Sequence, residues 1–197
     1  MDERIKILIN NLMLRFSKDG IKVTHGKEEL LRFEYTLISQ PYFSLIILAA
    51  EEENLVRVRS IIETYSKIPV IREAIVVGNE KQSLEEITEL SDVKFTINRI
   101  PFDPIATSLK KAISLLNSHS EFGIMFLANR DMFPIEEMDK LMHTVYREKI
   151  NVAVPVKNGK RTHPIVFSRD ALERIKRIRK EQGVKYFIKN FGKEVVV

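Results

Sequence analysis

The chain has 197 residues, of which 44% are hydrophobic and 30% are charged, and these fractions are typical of a soluble globular protein. It contains no cysteine, which excludes disulfides, thiolate nucleophiles and zinc–thiolate sites. The apolar run at 43–50 is much shorter than the roughly 20 residues that a membrane helix needs. The N-terminus alternates in charge without a secretory signal, which predicts a cytoplasmic protein. Abundant Lys, Glu, Arg and Ile favour a thermophilic source.

The net charge of +5 is compatible with nucleic acid or with an anionic small molecule as the partner. The densest basic run, at 174–180, wraps around a predicted helix and has no interleaved aromatic residues of the kind that stack on bases. We therefore interpret it as a solvated helix face, and nucleic acid as an unlikely partner. The seven glycines do not have the spacing of a dinucleotide fingerprint or a P-loop, so both motifs are excluded.

Residues 1–42 are predicted to form an extension of their own. The apolar residues within 3–16 are periodic enough to predict a helix, which Asp19-Gly20 would end. Two strands are predicted at 21–24 and 31–38, joined through Gly26. We expect this helix and hairpin to pack on the main domain at 43–197, with the boundary near Gln40-Pro41.

From residue 43 onward, strand and helix patterns alternate. Strands are predicted at 43–50, 74–78, 93–97, 122–128, 151–156, 164–167 and 194–197, the sixth of them antiparallel. Helices are predicted at 55–65, 84–90, 105–116, 135–147, 169–181 and 184–190. Such alternation predicts an α/β fold with a mainly parallel sheet and helices on both faces.

The segment at 122–134 is the first candidate for a functional site. It opens as an apolar run, typical of a strand buried on both faces, and turns polar at Asn129. In open α/β sheets, ligands bind just beyond the carboxyl ends of the strands, which is where Asn129, Arg130 and Asp131 are expected to lie. The competing interpretation is an ordinary turn between a strand and a helix.

Four segments together resemble the molybdenum-cofactor nucleotidyltransferases, the MobA-like NTP transferase family. Residues 46–50 (Ile-Ile-Leu-Ala-Ala) match the opening strand of the family, and 107–112 resemble a helix that carries its Ser-Leu pair. Residues 127–137 are similar to the L-A-D-x-P strand end and helix of the family. Residues 154–167 resemble its P-x-x-x-G-x-x-G-H-P-x-x-F segment. The resemblance covers 43–197.

This resemblance implies a three-layer Rossmann-like fold of the nucleotide-diphospho-sugar transferase type. It also implies transfer of CMP or GMP from CTP or GTP to molybdopterin, a phosphorylated pterin, with Mg²⁺ as the cofactor. By the same resemblance, the nucleotide is contacted by Ala49, Ala50, Asn98 and Ser108, the catalytic positions are Asn129 and Asp131, the metal ligand is Asp131, and Lys160 and His163 lie on the substrate side.

The chain departs from the family pattern at the phosphate and metal positions. Three glutamates at 51–53 stand where the family has a glycine-rich loop with an Arg and a Lys, and glycine lets a backbone approach phosphate closely. Arg57 and Arg59 are the nearby cations that could replace those lost. Asn129 stands where the family has a metal-binding Asp, and an amide brings no charge to Mg²⁺. Thr162 replaces the second glycine of the last motif, and the sequence given ends before the acidic segment of the family.

Two hypotheses about function therefore remain compatible with the sequence. One is a nucleotidyltransferase that keeps its nucleotide pocket and has weak activity. The other is a catalytically degenerate homologue that acts as a binding or partner module, because phosphoryl transfer depends on cations that stabilise developing charge.

Overall fold

A computed structural model describes residues 5–9, 12–17, 20–25, 28–34, 41–49, 55–78, 93–97, 105–178 and 183–197. The chain divides into two compact units, Met1–Gln40 and Pro41–Val197. Among the described residues, no helix is long and apolar enough to cross a membrane.

The first unit contains a four-stranded antiparallel sheet in the order β1-β2-β3-β4. Its strands are β1 (Ile5–Ile9), β2 (Leu12–Ser17), β3 (Gly20–His25) and β4 (Glu28–Glu34). The helix predicted over 3–16 is wrong, because its described residues form β1 and β2, which pair from Ile5↔Phe16 to Ile9↔Leu12. Apolar residues at every second position, as in Ile5, Ile7 and Ile9, fit the two-residue period of a strand. Pairing with neighbouring strands decides between this period and the 3.6-residue period of a helix. The packing of this unit on the main domain stays a prediction.

The second unit is built on an eight-stranded sheet in the order β10-β9-β11-β8-β5-β6-β7, with β12 paired to β9. Six described strands run in one direction, and β10 and β11 run against them. The strands are β5 (Phe43–Leu48), β6 (Ile71–Gly78), β7 (Val93–Ile97), β8 (Phe122–Leu127), β9 (Val152–Lys157), β10 (Lys160–Arg161), β11 (Ile165–Ser168) and β12 (Lys193–Val196). The mainly parallel sheet and the antiparallel strand near 164–167 are therefore as predicted.

Five described helices cover the two faces of this sheet. They are α1 (Leu55–Tyr65), α2 (Ile105–Leu115), α3 (Ile135–Arg147), α4 (Arg169–Arg177) and α5 (Gly183–Phe191). Buried side chains of α1 and α3 share one core with the sheet, and those of α2, α4 and α5 share another. The helix predicted at 84–90 lies outside the described residues.

The centre of the sheet is formed by the two most apolar strands. Every residue of β5 and five of the six residues of β8 are buried, because both strands are covered on both faces. Phe43 and Phe122 stack at the start of these strands, with ring centroids 4.7 Å apart. The apolar runs at 43–50 and 122–128 thus predicted their positions correctly.

A buried polar cluster joins the amino-terminal ends of the central strands. The Ser44 hydroxyl donates to Glu73 Oε1 at 2.6 Å and lies 2.6 Å from the Ser120 hydroxyl. The same carboxylate oxygen accepts the Asn117 backbone N–H at 3.0 Å. Ser44, Glu73 and Ser120 are all buried, and their mutual hydrogen bonds offset the cost of removing them from water.

Candidate functional site at the carboxyl edge of the sheet

The parallel strands β5, β6 and β8 end at one edge of the sheet, called here the carboxyl edge. Leu48 of β5 pairs with Leu127 of β8, so these two strands end level with each other. The chain leaves β5 towards β6 and β7 on one side and later returns to β8 on the other side. The carboxyl edge between β5 and β8 is therefore a topological switch point, where open α/β sheets form ligand crevices.

The residues that follow these strands are held by backbone hydrogen bonds. The Ala49 N–H donates to the Val77 carbonyl at 2.9 Å, and the Ala128 N–H donates to the Leu48 carbonyl at 3.0 Å. Both alanines are buried. Ala49, which the resemblance implies as a nucleotide contact, thus lies directly after β5 at the switch point, and its contact with a nucleotide stays a prediction.

The loop from β8 to α3 presents three polar side chains above this point. Asn129, Arg130 and Asp131 are all exposed, and the Arg130 N–H donates to the Leu127 carbonyl at 2.9 Å to form a turn. The site predicted at 129–131 is therefore an exposed loop directly after a central strand.

Two side chains of α1 hold this loop in place. Arg57 Nη1 donates to the Arg130 carbonyl at 3.3 Å. The Tyr65 hydroxyl accepts the Phe133 N–H at 3.0 Å and donates to the Phe133 carbonyl. Burial raises the pKa of Tyr65 to about 12, while its bond to the Phe133 carbonyl acts in the other direction. The hydroxyl therefore stays protonated and can serve both backbone groups at any physiological pH.

His163 lies in a bulge beside the end of β8. Lys160 and Arg161 pair with Lys157 and Val156, whereas Val166 and Phe167 pair with Ala153 and Val152. Five steps along 161–166 thus oppose three steps along 153–156, which leaves two extra residues in the bulge. Bulges of this kind re-aim side chains and are common next to active sites. On its other side β11 pairs with β8, with Ile165 opposite Met125, so the bulge lies at the carboxyl edge.

The surroundings of His163 connect it to the β8–α3 loop. His163 is half-buried, and its Nδ1 atom is enclosed without a hydrogen-bond partner among the described residues. Burial, and then the positive charge of Arg130, lower the pKa of His163 below its ordinary value. Both residues lie at the carboxyl edge of the sheet, His163 just before β11 and Arg130 in the loop that follows β8.

Comparison with known proteins identifies the family of this chain. The family of the MobA-like NTP transferase domain matches residues 54–195. The chain belongs to this family. Its predicted resemblance is thereby confirmed, and no curated protein matches the sequence.

Solved structures share the fold of this MobA-like chain. Rv0371c from Mycobacterium tuberculosis H37Rv is 12% identical, with a TM-score of 0.64 over 80% of this chain and 89% of that one. A second structure of that protein is a complex with manganese. The 4-diphosphocytidyl-2C-methyl-D-erythritol synthase of Anaerococcus prevotii DSM 20548 is 14% identical, with a TM-score of 0.59 over 83% and 90% of the two chains. These likenesses confirm the predicted Rossmann-like α/β fold.

A MobA-like protein is expected to bind a metal, which requires a set of ligating side chains at the site. No group of three or more His, Asp or Glu residues that could hold a metal occurs in the described part of the chain. In the β8–α3 loop, Asp131 is the single carboxylate, and Asn129 adds at most a neutral amide oxygen. The described side chains therefore do not complete a resident metal site.

The other predicted site residues lie in different parts of the chain, some of them outside the described residues. Ser108 is half-buried in the first turn of α2, and Lys160 is exposed on β10. Ala50, Asn98 and the glutamates at 51–53 lie outside the described residues. Arg59, considered as a replacement cation, instead pairs with Glu63 at 2.8 Å on the same helix.

The contacts of Arg57 and Tyr65 with the loop were not predicted from sequence. The sequence indicated Arg57 only as a cation near the position of the family's glycine-rich loop, and Tyr65 only as the last residue of the helix predicted at 55–65. A tyrosine on a buried helix face does indicate a hydrogen bond to another part of the chain, because its hydroxyl needs a partner inside the protein.

Proposed function

We propose that this MobA-like chain binds a nucleotide at the carboxyl edge of its larger sheet and has weak nucleotidyltransferase activity. The observation that supports this most directly is the β8–α3 loop, which α1 fixes above the switch point with Asn129, Arg130 and Asp131 exposed. Fixed polar groups at such a point are what nucleotide transfer requires, because its catalysis consists mainly of positioning and charge stabilisation.

Each predicted site residue would have a role in nucleotide binding or transfer. Ala49 and Ser108 would contact the nucleotide, and so would Ala50 and Asn98, which lie outside the described residues. Asn129 and Asp131 would lie beside the reacting phosphates, with Asp131 the described carboxylate available to a metal. Lys160 and His163 would face the acceptor. In the reaction, an acceptor phosphate oxygen forms a bond to the α-phosphorus while the bond from that phosphorus to pyrophosphate breaks.

The finer assignments belong to the same proposal. CTP or GTP is the nucleotide, Mg²⁺ is the metal, and molybdopterin is the acceptor, as the family resemblance implies. A cytoplasmic location and a thermophilic source also stay predictions.

A thermal-shift experiment tests nucleotide binding. CTP or GTP with MgCl₂, at a concentration of about 100 times Kd, should stabilise the chain by about 2.7 kcal/mol. Asp131→Asn should weaken this effect because it removes the loop carboxylate. Asp139→Asn, which changes an exposed aspartate within α3, is the matched control and should behave as wild type. Unchanged melting temperatures with both nucleotides would refute the proposal.

A second candidate function is binding without catalysis. Asn129 in place of a carboxylate, and the incomplete metal ligand set of the described residues, favour this alternative. Transfer of CMP or GMP to molybdopterin that is abolished by Asn129→Ala would exclude it. Binding of nucleotide with no transfer would support it.

A further inference from the structure

Three polar residues from separate elements lie at the carboxyl edge around the β8–α3 loop. Arg57 comes from the first turn of α1, Arg130 from the loop itself, and His163 from the bulge before β11. The hydrogen bond from Arg57 Nη1 to the Arg130 carbonyl joins the first two. The pairing of β11 with β8 brings the third to the same edge.

The charges of these arginines are not balanced by acidic residues in the described part of the chain. No ion pair joins Arg57 or Arg130 to a described carboxylate, although both side chains are exposed. Lys157 and Arg161, by contrast, each form an ion pair. Lys157 Nζ lies 2.6 Å from Glu137, and Arg161 Nε lies 2.7 Å from Glu194. Among the described residues, the carboxyl edge therefore has two exposed guanidinium groups that no carboxylate pairs with, and these can bind an anionic ligand.

Guanidinium groups suit one class of ligand in particular. Their planar fork of N–H donors matches the oxygens of phosphate, and such charge-assisted hydrogen bonds are shorter and stronger than neutral ones. Arg57 uses one N–H on the Arg130 carbonyl and has further donors, since a guanidinium carries five.

His163 adds a neutral group to this pair. A neutral imidazole donates from one ring nitrogen and accepts at the other, so it can hydrogen-bond a phosphate oxygen without carrying a charge. Its Nδ1 atom makes no hydrogen bond to a described residue, and an enclosed polar atom without a partner is costly.

We propose that Arg57, Arg130 and His163 form an anion subsite that binds a phosphoryl group through protein side chains alone, two of them cationic and one neutral. The inference rests on the proposed function for the identity of the ligand, which is a phosphate of the nucleotide or of the acceptor. It differs from the pattern of the family, in which cations of a glycine-rich loop hold the triphosphate. Here the cations come from α1 and from the loop after β8.

The test is calorimetric titration of the full chain with inorganic pyrophosphate in buffer containing EDTA. We expect binding that weakens as NaCl is raised, because salt screens exposed charges. Arg130→Gln should weaken binding about tenfold, which corresponds to about 1.4 kcal/mol. Arg147→Gln, at an exposed arginine in the last turn of α3, should leave the affinity unchanged. Failure of pyrophosphate to bind, or equal affinities of wild type and Arg130→Gln, would overturn the proposal.

Competition experiments distinguish the two sources of phosphate. Displacement of pyrophosphate by CTP or GTP supports the nucleotide, and displacement by a simple phosphate monoester such as glycerol 3-phosphate supports the acceptor. Displacement by neither overturns the subsite.

The subsite and the nucleotide proposal can fail separately. If both nucleotides with Mg²⁺ leave the melting temperature unchanged while Arg130-dependent pyrophosphate binding persists, only nucleotide binding is refuted. If the nucleotides shift the melting temperature while pyrophosphate does not bind in EDTA, only the subsite is refuted.

Discussion

The hydroxyl of Tyr65 gives the sharpest quantitative prediction. It serves both the N–H and the carbonyl of Phe133, a residue only 5% exposed, and Tyr65 itself is fully buried. Tyr65→Phe removes this single oxygen and leaves the ring, so the change is confined to two backbone groups that lose their partner. A buried polar group without a partner costs about 1–3 kcal/mol, so the two together should cost about 2–4 kcal/mol after local relaxation.

That loss is large compared with the stability of an ordinary domain, about 5–15 kcal/mol. For a unit of this size it corresponds to a fall in melting temperature of roughly 5–15 °C. Urea unfolding followed by circular dichroism measures the free energy, with the m-value expected to stay constant. Hydrogen exchange of the Phe133 amide provides a local measurement, and its protection should fall at least about tenfold.

The matched control is Tyr186→Phe, because Tyr186 is 56% exposed on α5. Its loss of the same oxygen should change the free energy of unfolding by less than about 0.5 kcal/mol. If Tyr65→Phe were equally neutral, water or a shifted backbone would satisfy Phe133, and the role assigned to α1 in fixing the loop would be refuted.

Three further predictions concern other parts of the second unit. Gly192→Ala should destabilise by about 1–3 kcal/mol in urea unfolding, because the added Cβ would lie 2.4 Å from the Ile188 carbonyl oxygen, a backbone atom. Ser44→Ala should cost about 1–3 kcal/mol in the same assay, since it removes a donor from the buried carboxylate of Glu73. For His163, whose folded pKa is lowered, stability should be complete above the unfolded pKa of about 6.5 and should decrease below it, by at most about 1.4 kcal/mol per pH unit. Urea unfolding between pH 5 and 7.5, at values chosen to bracket about 6.5, should therefore show a shallower pH dependence for His163→Gln than for wild type.

Each of these predictions has a control in the chain. Gly123→Ala should cost less than Gly192→Ala, because its Cβ would meet the movable side-chain ends of Ile46 and Leu172 at 2.9 and 3.0 Å. Ser114→Ala changes an exposed hydroxyl, and His119→Gln changes an exposed histidine. Equal costs for the two glycines, equal costs for the two serines, or equal pH dependence in the two histidine variants would contradict the corresponding prediction.

Much of the larger sheet could be predicted because its signals are local. The apolar runs at 43–50 and 122–128 identify strands buried on both faces, and the spacing of Val58, Ile61 and Ile62 identifies the buried face of α1. The hairpin between β9 and β10 was not predicted, although its Asn158-Gly159 pair is typical of a tight turn; both residues have positive φ angles there, 51° and 72°.

The parts that could not be predicted depend on contacts between distant residues. The sequence of β1 and β2 is compatible with a helix until their partner strands are known, because its apolar residues fit both the helical and the strand period. Tyr65 and Phe133 are 68 residues apart, and Arg57 and Arg130 are 73 apart. No local pattern shows that α1 would face this loop, and the two-residue bulge at His163 likewise exists only once β9 has paired with both β10 and β11.

The buried cluster of Ser44, Glu73 and Ser120 has a consequence for how this fold can evolve. It joins the central strands at the end of the sheet opposite the β8–α3 loop, through hydrogen bonds of Ser44 with Glu73 and Ser120 and of Ser120 with the Phe122 carbonyl. The cluster and the proposed ligand site thus lie at different ends of the same strands. Substitutions at the exposed residues 129–131 should therefore leave the cluster and the scaffold that it joins intact, so the proposed site can change while the fold is kept.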